Sequence, residues 1–220
     1  MTHHDHSHDH GHDHPSSNAE QWEARYASSD RIWSGKPNAL LVEHIGGVTP
    51  GSALELGCGE GGDAIWLAQQ GWHVTASDIA QSALTKAAAH AADAGVADRI
   101  VWVRHDLAES FPEGSFDLVT ASYFHSWVEI PREAILGRAA RAVAPGGRLV
   151  VIGHAGSPSF ADADHPAHNL PNAAQTVELL GLAGGGWTVE VAEDAEVAMK
   201  GPDGEPATRP DCVVVARRDS

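Results

Sequence analysis

Residues 53–62 read ALELGCGEGG, with four glycines, Gly57, Gly59, Gly61 and Gly62, in six positions behind an apolar run. Glycine supplies positive φ in a tight turn and lets a ligand lie against bare backbone. The helix-like AIWLAQQ that follows would begin with free N–H groups, which favour an anionic or polar ligand. This is the chemistry of a nucleotide-like cofactor. Gly57, Gly59 and Gly62 also spell the G-x-G-x-x-G of dinucleotide binding. Two acids, Asp78 and Asp106, follow later β-like runs, and Asp78 suits hydrogen bonds to both hydroxyls of a ribose with either cofactor. His105, the run Ser122-Tyr123-Phe124-His125, and His154 add acid–base groups at comparable places.

The elements that must position these residues alternate. Strands are expected at 53–56, 73–76, 100–104, 116–121 and 148–152, with helices at 63–70, 81–94 and 131–143. Gly71 and Gly95 end the first two helices; Pro131 opens the third and Pro145-Gly146-Gly147 ends it. Right-handed crossovers then require parallel strands with helices on both faces. Ligands of such sheets bind beyond the carboxyl ends of the strands, so the glycine turn, both acids and the histidines share one edge. Residues 154–171 are polar and read as an active-site loop before a helix at 172–182. Strands at 187–192 and 212–216 follow, separated by the turn Gly201-Pro202-Asp203-Gly204 rather than a helix, so they pair antiparallel. The predicted fold is α/β, a Rossmann-like, seven-stranded, mostly parallel sheet with helices on both faces and an antiparallel terminal strand pair. At the front, a helix carrying Trp22 and Tyr26 and another at 37–45 flank the loop RIWSGKPN, whose Trp33 is placed to fold over the ligand edge.

With 220 residues, 42% of them hydrophobic, the chain supports one domain, expected over residues 19–220. Residues 1–18, MTHHDHSHDHGHDHPSSN, have no apolar face and read as a disordered tail. Its imidazoles and carboxylates suit loose binding of zinc, nickel or copper. Thirty acidic against fourteen basic side chains give a formal charge of −16, which repels nucleic-acid phosphates. No apolar run approaches the ~20 residues of a membrane span, and the polar N-terminus is unlike a signal peptide, so a cytoplasmic location is expected. Cys58 and Cys212 form no disulfide framework, which suits a reducing compartment.

Glu55-Leu56-Gly57-Cys58-Gly59-Glu60-Gly61, with Asp78, Asp106, Pro145-Gly146-Gly147 and the closing strand pair, resembles the class I S-adenosylmethionine (SAM)-dependent methyltransferases over residues 22–217. The segments W-x-x-R-Y and W-S-G-x-P-N resemble the tellurite-resistance and thiopurine-type groups within that class. The resemblance implies SAM as cofactor and a small-molecule methyl acceptor. It implies cofactor contacts from Trp33, Glu55, Gly57, Cys58, Gly59, Gly61, Asp78 and Ile79, with Asp106 and Leu107 at the adenine and Ser122 at the methionine end. SAM carries a sulfonium and an ammonium but no pyrophosphate, so an acidic chain with Glu55 adjoining the loop suits it better than NAD(P).

Methyl transfer is an in-line displacement at an activated carbon, so positioning supplies much of the rate, and hydroxyl or amine acceptors additionally need deprotonation. His125, as base, and Tyr123 are the candidate catalytic residues. Trp127 and Phe124 are candidates to face the acceptor. His105, His125 and His154 lack a local pair at metal-ligand spacing. A metal-responsive protein working through the tail, and an NAD(P)-dependent oxidoreductase, are the competing readings.

Overall fold

The computed structural model describes residues 17–161 and 170–220. The tail through residue 16 and residues 162–169, with His165 and His168, lie outside the described residues.

Seven strands form one sheet: β1 (Ser52–Leu56), β2 (His73–Asp78), β3 (Ile100–Arg104), β4 (Phe116–Ser122), β5 (Val143–His154), β6 (Trp187–Lys200) and β7 (Pro206–Arg218). Their order is β3-β2-β1-β4-β5-β7-β6. The first five run parallel, and β7 runs antiparallel to both its neighbours. Chain order reverses between β1 and β4, which opens a crevice at the carboxyl ends of those strands. The helices are α1 (Asn18–Ala27), α2 (Ala39–Ile45), α3 (Gly62–Gln69), α4 (Gln81–Asp93), α5 (Arg132–Ala142) and α6 (Ala173–Leu179). Ser17 caps α1 in a reciprocal capping box with Glu20, so the first helix and its cap begin at residues 17 and 18, inside the segment expected to be tail.

Side-chain alternation splits the core into two layers. Leu118, Val150, Ile152, Val213 and Val215 point to one face and pack with Leu41 and Ile45 of α2, Leu67 of α3 and Leu84 of α4. Val119, Leu149, Val151 and Val214 point to the other and meet Ile135 and Leu136 of α5 and Ala173 of α6. A strand buried on both faces reads as a continuous apolar run, which is why β4 and β5 are legible in the sequence. Trp72 is buried against the first layer, with Trp66 and Trp102 packed at its margin; Trp187 packs on the second.

Two expectations move. Pro145-Gly146-Gly147 does not end a helix before β5 but lies within it, taken up by a register shift between Phe116↔Val143 and Leu118↔Arg148. A Cβ on Gly147 would sit 2.9–3.0 Å from three backbone carbonyl oxygens, so the bulge needs glycine. The terminal hairpin is also far longer than expected: pairing continues from Ala195↔Asp211 to Lys200↔Pro206. Residues 194–200 alternate between exposed and half-buried positions, which weakens their apolar signal.

Leu118 is wholly buried at the centre of the sheet. Leu118→Ala is expected to cost about 2–5 kcal/mol of folding stability, read as a lower urea midpoint.

Candidate functional site

Gly57, Gly59 and Gly61 take φ of 68°, 52° and 87°, so the turn after β1 follows a path closed to most side chains. It is also pressed from above. A Cβ on Gly57 would lie 2.8 Å from the Phe124 ring, and one on Gly59 would lie 2.9 Å from the Tyr26 hydroxyl and 3.3 Å from Trp33 Nε1. Cys58 is buried in the turn and donates its N–H to the Ser77 carbonyl. Asp78, at the end of β2, accepts the Gly59 N–H on Oδ2 (2.8 Å) and the Ala80 N–H on Oδ1 (2.9 Å). One carboxylate thus ties the turn to the next strand and keeps lone pairs for a ligand.

Glu60 clasps the front loop. Its carboxylate accepts the N–H groups of Ile32 and Trp33 at 3.0–3.1 Å and pairs with Lys86 at 3.5 Å. Lys86 also donates to the carbonyls of Tyr26 and Ser29. Trp33 Nε1 donates to the Tyr26 hydroxyl (3.0 Å), which holds the indole over the glycine turn, where Trp33 was expected.

Glu55, Asp63 and Asp78 are all buried around the turn. Among the described residues none of the three forms an ion pair, and Glu55 Oε2 has no hydrogen-bond partner. Burial, reinforced by the charges of Asp63 and Asp78, pushes Glu55 well above the usual carboxylate range. Burial also raises Asp63 and Asp78, against the pull of N–H groups from Asn38 on the former and from Ala80 and Gly59 on the latter. Three underpaired carboxyls beside bare backbone fit a ligand that brings positive charge. Ser122 adds a buried hydroxyl beside Asp63.

Asp106 follows β3 and accepts the Ala108 N–H on Oδ1. With Ile79, Arg104, Glu109 and the start of α1 it lines a cavity of about 360 Å³ at the same edge. Leu107 is buried beside it, its carbonyl taken by Arg138. A larger cavity of about 530 Å³, lined by Thr49, Pro50, Asp117 and Arg148, lies at the opposite end of the strands from these groups.

The turn after β4 and the end of β5 meet the middle of β7. Tyr123 donates its hydroxyl to Asp211 Oδ2 (2.6 Å), and His154 Nδ1 lies 3.1 Å from Asp211 Oδ1. Arg209 forks onto both oxygens at 2.8 and 3.1 Å. His125 was expected to be a base, but its Nε2 accepts the His154 backbone N–H at 3.1 Å and so lacks the free lone pair that role needs. Burial, then the charges of Arg132 and His154, lowers its pKa to about 3. The Tyr123 hydroxyl is pushed up by burial and by its bond to Asp211, so it keeps its proton. His105 is apart from this group, bonded to Ser110. Among the described residues, no three His, Cys, Asp or Glu groups are arranged to hold a metal ion. Nor is any helix among them long and apolar enough to cross a membrane.

Sequence reasoning missed Asp211, Arg209 and the clasping role of Glu60. Arg209 and Asp211 stand two apart just before an apolar strand, a spacing that puts both on one face. That was the available signal.

Residues 53–147 match the methyltransferase domain family. A 2-heptyl-1-hydroxyquinolin-4(1H)-one methyltransferase of Mycobacteroides abscessus is 28% identical over 77% of this chain and 74% of its own length. The nocamycin O-methyltransferase of Saccharothrix syringae is 34% identical over 49% of this chain, which spans only 39% of that protein. TehB from Haemophilus influenzae superposes with a TM-score of 0.68 at 14% identity, covering 91% of this chain and 67% of TehB, a likeness of fold. Residues 53–147 are thus a methyltransferase domain, and the glycine turn, the acids ending β2 and following β3, and the sheet order make the chain similar to the class I SAM-dependent methyltransferases.

Proposed function

We propose that this enzyme transfers the methyl group of SAM to a small-molecule acceptor, on a domain spanning residues 19–220 and in the cytoplasm. The observation that carries the cofactor assignment is the buried trio Glu55, Asp63 and Asp78 without a protein cation. Gly57, Cys58, Gly59 and Gly61 form the floor of the cofactor site. Asp78 and Ile79 take the ribose, Asp106 and Leu107 the adenine, and Glu55 and Ser122 the methionine end, with Trp33 as cover. When bound, SAM supplies a methyl carbon already activated for displacement. The protein's part is to orient both partners and exclude water, with Phe124 and Trp33 closing over the turn. The acceptors named for the M. abscessus and S. syringae relatives support a small organic acceptor here.

A second reading gives the histidine-rich residues 1–18 a role in binding divalent metal, supported by histidines at 3, 4, 6, 8, 10, 12 and 14. Calorimetry with and without residues 1–16, which leaves the Ser17 cap of α1 in place, separates the two. SAM affinity and turnover are expected to be unchanged by the deletion, and their loss would move the function to the tail. If NADH, and not SAM, raises the melting temperature, the cofactor assignment fails.

Asp78→Ala is expected to weaken SAM binding about 10- to 100-fold, the worth of charge-assisted hydrogen bonds. A cationic ligand favours ionised carboxylates, and burial holds these three above their usual range. Binding must therefore expel protons, and SAM affinity should rise as pH rises through the elevated values. Calorimetry in buffers of different ionisation enthalpy measures this directly; proton uptake would contradict it. For the ligand-free protein the sign is opposite: ionising these carboxyls costs stability, and the cost is relieved as pH falls through the same values.

A further inference from the structure

Asp211 is fully buried, yet its two oxygens collect four donors: Tyr123 Oη, Arg209 Nε, Arg209 Nη2 and His154 Nδ1. Burial works to raise this carboxyl, but the bonds from His154, Arg209 and Tyr123 and the Arg209 charge outweigh it and hold it well below the usual range. An ionised carboxylate can only accept, so the proton between Asp211 and His154 sits on Nδ1. The lone pair of His154 is thereby placed on Nε2. The side chain is 32% exposed, and among the described residues Nε2 takes no hydrogen bond. Its ring stacks on His125 at 5.0 Å, which fixes its plane.

The location suits chemistry on the cofactor. His154 ends β5, next to the end of β4, which borders β1 and the glycine turn. Phe124, one residue from both Tyr123 and His125, rests on Gly57. The mouth of this edge is aromatic. Trp33 and Trp127 are 47% and 54% exposed, and the Arg25 guanidinium lies over both rings at 5.7 and 5.3 Å. Such walls suit a flat, apolar ring system.

We propose that His154 is the general base, that Asp211 positions it, and that the acceptor is a planar aromatic hydroxyl compound, an inference that rests on the methyl-transfer function above. The acceptor O–H bond breaks with its proton passing to His154 Nε2, the oxygen forms the new O–CH₃ bond, and the S–CH₃ bond breaks with its electron pair on sulfur. The imidazolium is held by Asp211 and returns its proton to water. Among the described residues Tyr123, Arg209 and His125 contact this pair, Cys212 adjoins Asp211, and Arg132 stands behind His125.

The test compares 1-naphthol, protonated at neutral pH, with naphthalene-1-thiol, which ionises unaided. His154→Ala is expected to lower naphthol turnover about 10²- to 10⁴-fold, with SAM affinity and thiol turnover unchanged, and added imidazole should restore naphthol methylation. Asp211→Asn is expected to move the pH midpoint for naphthol downward, because the imidazolium loses its anion; a purely structural role would leave that midpoint in place. Full naphthol turnover in His154→Ala, or equal losses on both probes, overturns the base assignment. A wild-type enzyme that binds SAM but does not methylate naphthol overturns the acceptor class, while thiol turnover in that enzyme would preserve the function beneath it. Absence of SAM binding instead overturns that function itself.

Discussion

The structure is organised around three carboxyls buried without a protein counterion. Glu55, Asp63 and Asp78 lie within one turn and its flanking elements, in surroundings where an unpaired carboxylate costs several kcal/mol. A fold tolerates this where a ligand completes the balance. The neighbouring features follow from it. Bare glycine backbone lets a ligand approach the acids, and Asp78 braces the turn against collapse. Glu60 is buried too, but it already holds two backbone N–H groups and a lysine, so its charge serves the front loop.

Asp211 shows the opposite solution with the same chemical group. It is as buried as Glu55, but four donors surround it, and the two carboxyls are displaced in opposite directions from their ordinary range. Burial alone therefore says nothing about role; the donor set decides. The compensated acid can organise a neighbouring imidazole. The uncompensated acids can receive a cation. One sheet edge carries both, separated by the turn after β4.

The sequence exposes what repeats locally and hides what is assembled from afar. The glycine turn, the acid ending β2, the acid after β3 and the buried strands were legible because each sits within a few residues of its own punctuation. The Tyr123–Asp211 bond joins residues 88 positions apart, and His125 looked like a base until the backbone of His154 was seen to occupy its nitrogen. β7 shows the same limit. Its apolar centre was visible, but Arg209 and Asp211 lie in a half-polar extension whose pairing depends on β6, and for Asp211 also on the end of β5, rather than on its own pattern.

Tyr123 links the two halves of the site. It is the non-glycine residue with positive φ among those described, at 48°, a conformation that costs about 1–2 kcal/mol. Two bonds hold it there: its N–H to the Ile152 carbonyl at 2.8 Å and its hydroxyl to Asp211 at 2.6 Å. A hydrogen bond to a charged group contributes about 1.5–3 kcal/mol, enough to offset the strain. The strained turn then sends Phe124 onto Gly57 and His125 back against β5. The carboxylate that orients His154 thus also sets the backbone that presses on the cofactor turn, so a change to Asp211 must alter the geometry of cofactor and acceptor together.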